Sequence, residues 1–164
     1  MLLTRSSLIT LLLLSAILVR SQTPTYSKTG LELDGKDIQI LVESLPNDAK
    51  KFGVTEDRIK TKCELRLRLV GLNLVDVWRS PPAVLYINVS AVGNAFSIDL
   101  YFDRTLNFMV GAKEMFKDNV PTWHEDILGT DNGESDYVIQ ALDVLLDKFL
   151  NDLLKANPSL SGSK

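Results

Sequence analysis

The sequence is poor in the residues that most chemistry needs. It holds one histidine, His124, and one cysteine, Cys63, in 164 residues. A lone cysteine allows no internal disulfide, so burial of apolar side chains must hold the fold. A lone histidine rules out sites built on two or more imidazoles. No GxSxG, P-loop, dinucleotide GxGxxG or HExxH pattern occurs. Long basic runs are missing too, and 18 Lys and Arg stand against 21 Asp and Glu, a formal net charge of −3. Such a chain is a poor ligand for nucleic acid or anionic membranes, so neither is expected as a partner. No cofactor is expected either.

Long apolar stretches are scarce, with one at the start. In MLLTRSSLITLLLLSAILVRS, Arg5 supplies a positive n-region and Leu8 to Val19 form an apolar run of 12 residues. Val19 and Ser21 occupy the −3 and −1 positions of an export signal, which places cleavage after Ser21. Arg20 is unusual so near the cut. The run falls short of the roughly 20 apolar residues of a spanning helix, and no cysteine follows Ser21 to carry a lipid. The expected location is therefore outside the cytoplasm, periplasmic or secreted. Membrane contact is expected only through the signal before cleavage. Removing Arg5 and Arg20 with residues 1–21 leaves 16 basic and 21 acidic residues in a chain of 143, net −5. That length suits one domain with a hydrophobic core.

Residues 22–35, QTPTYSKTGLELDG, are polar and read as a flexible leader. Asn157-Pro158 ends the last helix, because proline cannot continue it, and 158–164 reads as a disordered tail. A single domain is expected over 36–157. Asp37 to Glu43 alternates as a first strand, and Pro46-Asn47-Asp48 then turns the chain. Thr55 is a good helix N-cap, with Glu56 and Asp57 in the favoured first turn. Ile59, Cys63, Leu67 and Val70 recur at helical spacing, Leu65 and Leu69 are expected to widen that stripe, and Gly71 with Leu72 suits the C-terminal cap. Cys63 on this stripe reads as a small buried hydrophobe, since a reactive thiol wants an open, electropositive setting.

After a short strand at Leu72–Val75 and a loop holding Trp78, two alternating runs, Ala83–Val92 and Phe96–Asp103, flank a Gly93-Asn94 turn and predict an antiparallel hairpin. Leu106 to Phe116 is expected to be a further strand, and VPTWHEDILG, residues 120–129, the last. Ile139, Leu142, Leu146, Phe149 and Leu153, flanked by Val138, Leu145 and Leu150, mark a final helix capped by Ser135 or Asp136. The expected order is β-α-β-β-β-β-β-α. That pattern predicts an α+β fold: a mostly antiparallel sheet with two amphipathic helices on one face.

Two places can carry function. In a strand, His124 and Asp126 share one face about 7 Å apart, the spacing of a metal or acid–base pair. Further ligands would have to be carboxylates such as Asp99, Asp103 or Asp131, and the plain reading is a structural strand with Trp123 inward and His124 outward. The other place is the polar face of the hairpin, with Tyr86, Asn88, Ser90, Ser97, Asp99, Tyr101 and Asp103. Tyrosines among small polar groups suit a recognition surface. The loop TDNGESD fails the EF-hand spacing, because Gly133 follows Asp131 too soon.

The segments GVTEDRIKTKCELRLRLVGLNLVD, LYINVSAVG, TW and DKFLNDLLKANP together resemble small exported bacterial α+β proteins. In element order the chain is also similar to envelope-assembly domains. Examples are the amino-terminal domain of the Tol–Pal propeller protein and the periplasmic domain of the curli secretion channel. That resemblance implies a role in binding or assembly and carries over no functional residue. The leading expectation is a non-catalytic binding or assembly module of the cell envelope, whose partner is another envelope protein or a second copy of itself. The alternatives are an enzyme or metal-binding protein centred on His124 and Asp126, and a small-ligand carrier with a pocket between sheet and helices.

Overall fold

The computed structural model describes residues 30–76, 83–110, 113–130 and 136–160, with backbone alone at 107–110 and 113–118. The expected signal segment, the leader up to residue 29, the Trp78 loop and Asp131–Ser135 lie outside the described residues. The chain forms β1 (Asp37–Val42), α1 (Asn47–Lys51), α2 (Glu56–Leu69), β2 (Asn73–Leu74), β3 (Ala83–Val92), β4 (Ala95–Val110), β5 (Lys113–Thr130) and α3 (Tyr137–Ala156). A 3-10 turn, Pro158–Leu160, follows. The five strands make one sheet in the order β2-β1-β3-β4-β5. β1 is parallel to β2 and β3, and the β3–β4 and β4–β5 pairs are antiparallel. This is a mixed, mostly antiparallel sheet in an α+β fold. Among the described residues no helix is long and apolar enough to cross a membrane.

Local signals account for α2. The Thr55 hydroxyl accepts a hydrogen bond from the Arg58 N–H at 3.1 Å, satisfying a donor that the first turn leaves free. At the other end Gly71 takes φ +83°, a conformation glycine adopts without a Cβ penalty. The Gly71 N–H then donates to Arg68 O (3.0 Å) and the Leu72 N–H to Leu67 O (3.1 Å). These two bonds are the Schellman cap. Ile59, Cys63 and Leu67 are fully buried. Leu65 and Leu69 do not widen the stripe: they are 61% and 75% exposed. Each lies two positions, about 200° of helical rotation, past a buried residue, which turns it to solvent.

Alternation places the core on one side of the sheet. Leu85, Ile87, Ile98, Leu100 and Phe102 are at most marginally exposed and meet α3 through Leu142, Leu146 and Phe149. α2 packs over β1 and β2, and α3 over β4 and β5. A ladder of ion pairs joins the helices: Arg58–Asp136, Lys62–Asp143 and Arg66–Asp147, each at 2.7 Å. Both sequences climb together along this ladder, so α2 and α3 run side by side in one direction. Asp136 is thereby the N-cap residue of α3 without a side-chain capping bond.

Three expectations about the chain path change. Pro46-Asn47-Asp48 is not a plain turn: Pro46 is the N-cap of α1, which takes up Asn47 and Asp48 and buries Ala49 fully. Leu106–Phe116 is not a separate strand: β4 continues through Val110 and β5 begins at Lys113, with Phe108 opposite Phe116. The order is thus β-α-α-β-β-β-β-α. The apparent break came from Arg104, a charge in the apolar phase of β4. It bonds to Asp34 at 3.2 Å, with Glu32 at 4.0 Å, so an ion pair interrupts the pattern while the strand goes on.

The domain also reaches past both ends of 36–157. Leu31 is fully buried and Leu160 nearly so, and both belong to the core. Asn157 fastens this region. Its Nδ2 donates to Leu31 O and Leu153 O, both at 2.8 Å, and its Oδ1 accepts from the Leu33 N–H at 2.9 Å. Gly30 lies against a bulge in β5, where the Thr122 hydroxyl donates to Gly30 O at 2.7 Å. A Cβ at Gly30 would stand 2.4 Å from Thr122 O, so the approach requires glycine.

Candidate functional site

The outer face of the sheet, opposite the two long helices, gathers most of the singled-out residues. Tyr86 pairs with Tyr101, and Tyr101 with His124. Leu41 of β1 stands beside Tyr86 in the parallel pairing. The side chains of such cross-strand partners lie on one face within contact distance. The result is a row across four strands: Leu41, Tyr86, Tyr101, His124. The Tyr86 and Tyr101 rings have centroids 5.9 Å apart and a tilt of 56°. Tyr101 and His124 stack at 4.3 Å with 12° between planes.

Two residues further along lies a second row. Asn88 pairs with Asp99 and Asp99 with Asp126. Glu43 continues β1, its N–H donating to Ile87 O at 2.9 Å. Strand geometry sets this acid row about 7 Å from the ring row. The two rows are linked. The Tyr86 hydroxyl donates to Glu43 Oε2, and this bond pushes the phenol up to about 12. His124 Nε2 is 3.7 Å from Asp99 Oδ1, and Asn88 Nδ2 donates to Asp99 Oδ2 at 3.4 Å. The imidazole thus faces Asp99 across the strands, while Asp126 shares its face one position on. Ser90 and Ser97 pair beyond the acid row, next to Leu128, which is 78% exposed.

Asp103 lies at the other end of the face. One of its carboxylate oxygens is buried without a hydrogen-bond partner, and burial raises its pKa. Desolvation disfavours the charged form, and no donor offsets it. Trp123 faces inward, edge-on to Phe149 at 5.2 Å, as the alternation of TWHED requires. Cys63 is fully buried and burial pushes its thiol up to about 12, which leaves it un-ionised at neutral pH and a weak nucleophile.

Two features of the face escape a strand-by-strand reading. His124 and Asp126 on one side, and the hairpin residues on the other, read as separate candidates. The β4–β5 register merges them into one surface. Glu43 was not among the candidates, although its place one step of alternation past Leu41 and two past Gln39 put it on this face. Among the described residues, no three His, Cys, Asp or Glu side chains stand close enough to hold a metal ion. Between α2 and the start of α3 runs an open groove of about 440 Å³, lined by Asp57, Arg58, Thr61, Lys62, Leu65 and Ile139. The space between sheet and helices is filled by Ile98, Leu100, Leu142 and Leu146, all at most 1% exposed. The chain matches no protein-family model, no curated protein and no solved structure.

Proposed function

We propose that this chain is an exported, non-catalytic binding or assembly module of the cell envelope, and that its outer sheet face is the surface that engages a protein partner. One observation carries the reading. The outer face presents a ring row and an acid row in register, and both long helices pack on the other side. Rings anchored at one end and open to contact give large, rigid area at low entropic cost, which is why tyrosine is favoured in recognition surfaces. The side chain of His124 is 41% exposed, so the end of the stack is accessible. The resemblance in element order to envelope-assembly domains supports the same role.

Capture from the host envelope tests the reading with three tagged chains: wild type, Tyr101→Ala/His124→Ala, and Lys60→Ala on exposed α2. A partner at fixed stoichiometry should be retained by wild type and Lys60→Ala and lost by the double variant. Retention by all three, with the double variant folded, removes the outer face from the account.

A further inference from the structure

We propose that the partner segment docking on the outer face is an extended strand bearing lysine or arginine at alternate positions. This rests on the recognition-face reading and narrows it to one chemistry. The argument is one of charge and spacing. Glu43, Asp99, Asp103 and Asp126 all lie on this face, and among the described residues none of them pairs with a lysine or arginine. Their partners are the phenol of Tyr86, the amide of Asn88 and the imidazole of His124. Elsewhere several basic side chains find acids close by. Arg58, Lys62 and Arg66 are matched by aspartates of α3, Arg104 by Asp34, and Lys148 by Glu125. Single acids such as Asp57 and Asp76 also stand off this face without a basic partner among the described residues, but here Glu43, Asp99 and Asp126 form a row beside stacked rings.

The two rows match a basic side chain in outline. The aliphatic stem of lysine or arginine lies along apolar and ring surface while its head seeks a carboxylate. Aromatic faces attract the cation as well. A stem resting on Tyr86 and Tyr101 brings its head to the acid row about 7 Å away. In an extended segment, alternate residues face the same way at about that same interval, so successive basic residues can each find a site. Leu41, 47% exposed at the far end of the ring row, extends the apolar bed for the stems. Charge complementarity of this kind sets partner choice and association rate more than total affinity.

The test uses the full chain and two short synthetic peptides, one alternating arginine with serine and the other glutamate with serine, titrated at low salt by calorimetry. The arginine peptide should bind, its affinity should fall steeply with added salt, and the glutamate peptide should not bind. Asp99→Asn/Asp126→Asn should weaken binding roughly ten-fold or more, since each removes a charge within direct reach of the ligand. Asp57→Asn/Asp76→Asn, two exposed acids off this face, should leave it unchanged and so separates the site from general attraction to an acidic protein. Equal weakening by both pairs, or binding of the glutamate peptide, overturns the proposal. No binding of the arginine peptide overturns it as well. If partner capture is nevertheless lost with Tyr101→Ala/His124→Ala, the face still binds and only its basic preference is wrong. If capture survives that variant, the recognition-face reading itself fails.

Discussion

The two faces of one sheet obey different rules in this molecule. On the inner face every second residue from Ala83 to Ala91 in β3 and from Phe96 to Phe102 in β4 is apolar and buried, and the helices that cover it tie several of their own charges into pairs. On the outer face the residues between them carry rings, amides and carboxylates, half-buried by one another and partnered by neutral groups. The inner face is what makes the domain fold. The outer face leaves rings and acids partly exposed, His124 among them. The contrast teaches where to look in a fold with no catalytic motif: at the surface whose chemistry stability does not explain.

The contrast can be broken first at β4. Leu100→Ala empties a fully buried site on the inner face and should cost about 2–5 kcal/mol by denaturant unfolding. Its neighbour Asp99→Asn, on the outer face, should stay within about 0.5 kcal/mol of wild type. Similar costs at the two positions would erase the distinction between faces. A smaller effect is expected at Asn157→Ala. It strands the Leu33 N–H and the Leu31 carbonyl, a loss of about 1–3 kcal/mol that a urea midpoint would register. An unchanged midpoint would show that residues 31–33 add nothing to the core. Thr55→Ala removes the α2 cap and should cost about 1 kcal/mol, while Thr55→Ser should recover most of it.

The smallest effect lies on the outer face and is read as a titration. Tyr86 is held neutral by Glu43, so its phenolate band should rise near pH 12, against about 10 for an ordinary tyrosine. The sign follows from that upward shift. The Tyr86–Glu43 contact stabilises the fold below pH 10 and is lost as pH climbs from 10 towards 12. Glu43→Gln should bring the Tyr86 titration down. A Tyr86 that titrates with the other tyrosines would mean the two rows are not linked as described.

Much of this fold is legible in the sequence because its signals are local. Thr55 and Gly71 bracket α2, Gly93-Asn94 sets the register of the hairpin, and the periodicity of α3 names its buried residues. What was hidden depends on contacts distant along the chain. Leu31 is one of two leucines in a polar stretch, and only the bonds from Asn157 at the other end of the domain show why it is buried. Arg104 breaks the alternation of β4 until Asp34 supplies its partner. Leu65 and Leu69 look like core by composition and fail on helical angle. The outer face was legible as two halves, and only the pairing of β4 with β5 joins Tyr101 to His124.

Site-specific photo-cross-linking in the host tests the central claim most directly, with the cross-linker placed in turn at Ser97 and Leu128 on the outer face and at Lys60 and Val144 on the helical layer. The account predicts a discrete adduct with one protein from Ser97 and Leu128 and none from Lys60 and Val144. Adducts from the helical layer alone, with the outer face silent, would contradict it.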